Sequence, residues 1–251
     1  MNLNIKPEAI LPALKAAIAK QNEVPGAQVA GGLDAFTAAK EAHTASMMKL
    51  NGIDASIRRC EQERKSAITE SAQAEQDWRS RFRTLCGNMT PEMKAEHSQR
   101  VASRELAEEF SGLIAELATD KQRAMLDACR SGDAYVAAQA RAFTTYANAE
   151  WQKAMLSISP VMLRAFLLRI QSLEMEGETS PRATAMREFA DSLKMQSGLY
   201  QFDMDKEPVL SVIGMRRPAL TGVDMKLYRS PAKRGQLASE LAARKTQKAE
   251  G

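Results

Sequence analysis

The chain is poor in most of what catalysis and strand formation require. Of its 251 residues only two are histidine and three are cysteine, and aromatics make up 5%. Neither His43 nor His97 has a second histidine or cysteine at metal-ligand spacing. His43 falls on a long apolar seam, which predicts a packed histidine rather than a ligand. Cys60, Cys86 and Cys129 form no CxxC pair, and an odd, low count suits reduced thiols in a cytoplasm. No phosphate-cradling glycine loop (GxGxxG or GxxxxGKS/T), no GxSxG elbow and no HExxH helix occurs. Asp203, Asp205 and Glu207 lack the glycine and twelfth-position acid of a calcium loop. An enzyme is therefore not expected, and neither a cofactor nor a metal is called for. A secretory hydrophobic segment is missing, as is any run of about 18 apolar residues, so neither export nor membrane spanning is expected.

What the chain does have is helix-forming composition. Ala, Met, Glu, Arg, Lys and Gln dominate, Val, Thr and Tyr are thin, and period-two alternation is lacking before the last fifty residues. The expected fold class is all-α. From Phe36 a three-then-four spacing runs through His43, Leu50, Ile57, Cys60, Ala67, Ala74 and Trp78 to Leu85, and such a stripe buries its seam against another helix. Unbroken, this helix would be about 80 Å long, with Gly52 as a candidate break. Cys86-Gly87-Asn88-Met89-Thr90-Pro91 reads as a stop and restart: glycine suits the left-handed cap, threonine caps free amides, and proline suits the first helical position. The return arm carries Val101, Leu106, Phe110, Leu113, Leu117, Ala124 and Ala128, with a spacing drifting toward 3.6. The two arms form a long antiparallel helical hairpin over residues 34–130, coiled-coil-like in its first arm.

Residues 1–33 read as an appendage. Pro7–Lys20 forms a short helix with Ile10, Leu11, Leu14, Ala17 and Ile18 on one side, and residues 21–32 have the composition of a flexible linker. This helix either docks on a partner's groove or packs on its own domain. Residues 131–199 are expected to hold core helices. Ser131-Gly132-Asp133 is expected to kink or end the second arm, and a third helix follows to Ser157. Ser159-Pro160 opens a helix with Val161, Leu163, Phe166, Leu167, Ile170 and Leu173, the most apolar stretch of the chain, placed at the centre of the core. Ser180-Pro181 opens the next. Residues 200–251 form an irregular segment and a basic C-terminal helix opened by Ser230-Pro231. Val209–Ile213 is either one strand or a helical turn. Trp78 and Trp151 are expected to be anchors in a core or interface.

Charge is uneven. Residues 216–251 hold nine Lys or Arg against three Asp or Glu, whereas residues 1–215 hold 26 basic and 28 acidic groups. The basic tail suits an acidic surface on nucleic acid or protein, or else is a solvated helix face. With only Tyr228 among its basic residues, stacking on single-stranded nucleic acid is disfavoured. Direct nucleic-acid binding remains open but is not favoured.

Val209-Leu210-Ser211-Val212-Ile213-Gly214-Met215-Arg216-Arg217-Pro218 resembles the apolar-Ile-Gly-apolar-Arg-Pro segment near the end of the phage polarity suppression (Psu) family. Gln236-Leu237-Ala238-Ser239 resembles that family's terminal helix. The resemblance spans about residues 34–248, and this chain departs from it by an extra arginine, an N-terminal appendage and a longer middle. It implies an intertwined helical homodimer that decorates a satellite-phage capsid and binds and inhibits the transcription terminator Rho, an antitermination activity. The expected partners are thus a second copy of the chain, Rho and a phage capsid protein, in the host cytoplasm and on the capsid exterior. The residues it marks as partner-facing are Ile213, Gly214, Met215, Arg216, Arg217, Pro218, Gln236, Leu237, Ala238 and Ser239. The alternative role of Ile213, Met215, Leu237 and Ala238 is packing, and that of Gly214 and Pro218 is shaping a turn. Purely structural capsid decoration or scaffolding, without Rho activity, is the alternative.

Overall fold

The structure, a computed structural model, describes the backbone of residues 7–250 and the side chains of residues 26–246. The apolar face expected from Ile10 to Ile18 therefore lies outside the described side chains. Among the described residues seven helices follow in order: α1 (Pro7–Thr84), α2 (Pro91–Leu156), α3 (Pro160–Met175), α4 (Pro181–Leu199), α5 (Pro208–Ile213), α6 (Met225–Tyr228) and α7 (Pro231–Glu250). A single 3-10 turn covers Met204–Lys206, and no strand occurs among the described residues, so the fold is all-α. The chain divides into two compact units, one of residues 1–38 with 136–218, the other of residues 39–135 with 219–251.

In the second unit, the hairpin turn closes as its residues dictate. Gly87 takes φ +83° and Cys86 φ +50°, and the Gly87 amide donates to the Phe82 carbonyl at 3.0 Å. The Thr90 hydroxyl then accepts from the Met93 amide at 3.3 Å. On α1 the buried residues His43, Leu50, Cys60 and Ala67 all lie on the heptad stripe. The return arm corrects the reading of its spacing. Its buried residues Met93, Ala107 and Ala128 stand multiples of seven apart, so the heptad is kept. Leu106 and Leu113 fall one position off that line and are exposed. The seam runs through small residues because two helix axes approach more closely over alanine than over leucine. Lys121 and Arg58 both pair with Asp54, and Arg100 pairs with Glu75. Trp78 stacks on Phe82 at 5.0 Å and lies under the Arg100 guanidinium at 5.1 Å.

Three expected breaks are absent. The stretch 21–32 is helical, as is Gly52, and α2 runs through Ser131-Gly132-Asp133 to Leu156, absorbing the separate third helix. A glycine within a helix costs only about 1 kcal/mol relative to alanine, which the rest of a long helix absorbs, and at Gly132 tertiary packing adds a reason of its own. Gly132 leaves a notch: a Cβ there would meet Leu220 Cδ1 at 3.2 Å and His43 Cε1 at 3.5 Å. The Ser131 hydroxyl donates to the Ala128 carbonyl and faces His43 Nδ1 at 3.1 Å. Asp133 pairs with Arg234 of α7 at 3.0 Å. Beside the hairpin, Val223 and Tyr228 complete a core with Leu50, Ala124, Ala128 and Cys129.

In the first unit, α3 and α4 pack on each other through the Arg169–Glu188 fork, with bonds of 2.8 and 2.9 Å, and an edge-on Phe166–Phe189 contact at 6.2 Å. The Ser159 hydroxyl caps α3 by accepting from the Met162 amide at 3.2 Å, whereas Ser180 makes no side-chain cap to α4. The most apolar helix is not the centre of the core. Leu173 is the one buried residue of α3. Trp151 is likewise no core anchor, being 60% exposed. Residues 208–213 form a helical turn, α5, not a strand.

Two expectations about stability follow. Gly52→Ala, in open space within a helix, raises stability by about 1 kcal/mol, while Gly87→Ala, held at positive φ, lowers it by about 1–2 kcal/mol; urea unfolding midpoints should move in opposite directions. Burial pushes the His43 pKa below its usual 6.5. The unfolded chain then takes up this proton first as pH falls, so the stabilisation is complete above about 6.5 and is lost as pH falls from there toward the folded value. The drop in urea midpoint between about pH 7.5 and about pH 5.5 should shrink in His43→Gln.

Candidate interaction surfaces

The two stretches marked as partner-facing belong to different units. In the first unit, Pro208 opens α5, whose Leu210 and Ile213 turn inward and are buried. Gly214 then reverses the chain at φ +75°, its amide donating to the Leu210 carbonyl at 2.8 Å. α2 holds this turn in place. The buried Gln139 donates through Nε2 to the carbonyls of Gly214 and Arg216, each at 3.3 Å. The Tyr146 hydroxyl donates to Glu207 Oε2 at 2.9 Å. Burial, and next the bond to Glu207, push the Tyr146 pKa up to about 12, so the phenol stays a donor at any physiological pH. Beyond this anchor Met215, Arg216 and Arg217 are exposed and Pro218 is half-buried. Ile213 and Gly214 thus have structural roles, and Met215 to Arg217 are what the turn presents.

In the second unit, the Ser230 hydroxyl accepts from the Lys233 amide at 3.3 Å and opens α7. Leu241 is buried and Leu237 half-buried. Gln236, Ala238 and Ser239 are exposed. Gln236 donates to Glu240 at 3.0 Å, and Ser239 donates back to the Gly235 carbonyl at 3.0 Å. Arg234 is turned inward, onto Asp133 and the Tyr228 carbonyl. An open concavity of about 510 Å³ is lined by Glu116, Asp120 and Arg123 of α2 and by Arg244 and Lys245 of α7. Mixed charge makes it a weak anion site.

A third surface escaped sequence reasoning, because the helix that forms it looked like core. Ile158, Met162, Leu163, Phe166, Met186 and Phe189 line a groove of about 200 Å³ between α3 and α4 that exposes no polar lining atom. The signal that could have found it is that α3 is apolar nearly all round, while the α2 stretch before it and α4 after it offer too few large side chains to cover it. Gln139 and Tyr146 were also missed, since nothing local distinguishes a buried glutamine on a long helix. Among the described residues no group of His, Cys, Asp or Glu is arranged to hold a metal, and no single helix is long and apolar enough to cross a membrane.

Fold and surfaces together define an all-helical protein built on a long antiparallel helix pair, with an exposed apolar groove, a basic tip and a concavity of mixed charge. Known proteins then give the particulars. No family model matches the chain. It is similar to Glycoprotein 3 of Enterobacteria phage P4, with 28% identity over 222 residues, 82% of this chain and 91% of that protein. Among solved structures it is similar to a chain of the satellite phage P4 procapsid including size determination (Sid) protein. That match has 26% identity and a TM-score of 0.78, and it covers 88% of this chain and 98% of that one. The capsid half of the expected function thus has support, and inhibition of Rho has none.

Gln139→Ala would strip the Gly214 and Arg216 carbonyls of their shared donor. The expected cost is about 1–2 kcal/mol, with faster amide exchange over residues 214–218 by mass spectrometry and little change in α7.

Proposed function

We propose that the chain is a structural protein of phage assembly that binds the coat protein of a procapsid and acts in setting the size of the shell. The observation that carries this reading is the likeness to a chain of the P4 procapsid with its size determination protein, which extends over nearly the whole of both chains. The fold suits the task. A shell of altered size differs in curvature, and a spacer that resists bending can bias curvature by fixing the distance between its contact points. The stretch 39–84 of α1 alone is about 70 Å long at 1.5 Å per residue, and it is braced along its length by α2. Attachment to coat protein and to other copies also needs exposed surfaces, which the apolar and basic features offer. On this reading the chain works in the host cytoplasm and on the procapsid, and it associates with itself as well as with coat protein.

Antagonism of Rho, drawn from the likeness of the Ile213–Pro218 segment to the polarity suppression family, is the second reading. The exposed Met215-Arg216-Arg217 tip favours it. Direct nucleic-acid binding by the tail comes third.

Co-expression of the coat protein with and without this chain tests the first reading. The diameter of shells, read by electron microscopy, should shift to a second discrete class when the chain is present, and an unchanged distribution sinks it. Arg216→Glu with Arg217→Glu should leave termination by Rho in a purified transcription assay indistinguishable from wild type. Relief of termination by the wild-type chain that is lost in this variant would instead favour the second reading.

A further inference from the structure

We propose that α3 is a self-association surface, pairing antiparallel with α3 of a second copy about a two-fold axis at Leu168. The inference rests on the assembly reading above and names the surface by which copies of the chain meet.

Val161, Leu168 and Met175 stand seven residues apart and so share one helix face, and they are 77%, 53% and 81% exposed. Leu167 extends that face on one flank and is 65% exposed. α4 adds Met186, Leu193, Met195 and Leu199 to the apolar surface of the same hairpin. A monomer rarely leaves so many large apolar side chains of one helical hairpin in water, and a stable pair buries about 800 Å² on each partner, the area of roughly ten such half-exposed side chains.

Charge selects the occupant. Residues 158–202 carry five Arg or Lys and five Asp or Glu, so the patch has no net charge with which to attract an acidic or basic partner. Along α3 the charge is graded, however: Arg164 and Arg169 lie in its first two-thirds, and Glu174, Glu176 and Glu178 at and beyond its end. Arg169 is held by Glu188 within the hairpin. Among the described residues neither Arg164 nor Glu174 makes an ion pair. A helix with such a gradient is complementary to itself run backwards. With the two-fold at Leu168, Val161 meets Met175 of the second copy. Arg164 comes within about 3 Å, measured along the axis, of Glu174 of the second copy on the same flank.

The test uses the full chain. Sedimentation and light scattering across micromolar concentrations should show wild type as a dimer or larger, and Leu168→Asp should weaken association by about thirtyfold or more with unchanged helical circular dichroism. Arg164→Glu should weaken it, and Arg164→Glu combined with Glu174→Arg should restore it, a rescue that contact with any other protein would not give. In a Cys86→Ser background, which removes the exposed thiol, Leu168→Cys should form a disulfide-linked dimer on mild oxidation and Lys65→Cys should not. A wild type that stays monomeric overturns the inference, as does a dimer indifferent to Leu168→Asp, and either leaves the shell-diameter test to decide the assembly reading by itself. Variants that keep the wild-type oligomer but no longer sediment with coat-protein shells also overturn it, and assign the face to the coat protein.

Discussion

The whole architecture depends on how close two long helices can lie. The hairpin seam of the second unit is made of Cys60, Ala67, Ala107, Ala124, Ala128 and Cys129, with Leu50 and Met93 as its large members. Small residues let backbones approach and pack without voids, but each buries little apolar area, and burial is worth only about 25 cal/mol per Å². Such a seam is stable through length rather than depth. That explains why the arms are long, why polar residues on their flanks are joined by cross-helix pairs such as Lys121–Asp54 and Arg100–Glu75, and why the richest cluster of the unit recruits Val223 and Tyr228 from the C-terminal segment. Tyr228 and Leu227 supply the bulk that the seam lacks.

The same constraint separates what was legible in the sequence from what was not. Helix starts were legible because their cause is local: Thr90, Ser159 and Ser230 each offer a hydroxyl to the amide three residues on. The α1 stripe was legible because a seam facing a single partner helix leaves a seven-residue period. The α2 seam was misread because apolar bulk was followed instead of period, and the period runs through Ala107 beside the larger Leu106. Glycines misled where they were read as breakers. At Gly87 and Gly214 positive φ makes glycine a turn residue, whereas at Gly132 its service is the missing Cβ, which depends on His43 and Leu220, residues distant in sequence. The candidate site shows the same division. That Ile213 packs and that Gly214 turns could be argued from residue type. That Gln139 fixes the exposed tip could not, because it requires knowing which face of α2 the turn lies on.

The most consequential misreading concerns α3. Apolar content was taken to mean burial, and for a chain folding alone that is the ordinary inference. It fails where a surface is meant to be covered by another molecule. A homodimer is what the family resemblance implies, and the apolar edge of the hairpin is where a twin would sit. The structure closes that edge within one chain, through α2 and the 220–228 segment. The uncovered apolar surface lies instead on α3 and α4, so the argument for association survives on a different element.

The two kinds of exposed feature should also differ in what drives them. The α3 face is apolar along Val161, Leu168 and Met175, so the contacts of those side chains strengthen or hold as salt rises. The basic features are fewer than the tail's composition suggests, since Arg234 is spent on Asp133 and Tyr228 and the α7 concavity mixes Arg244 and Lys245 with Glu116 and Asp120. Contacts made there, or at Arg216 and Arg217, are exposed ion pairs that salt screens within about a Debye length of 8–10 Å. An assembly protein using both has a natural order of events: apolar pairing that persists in the concentrated interior of a cell, followed by weaker, reversible charged contacts that let a lattice correct its errors before it closes.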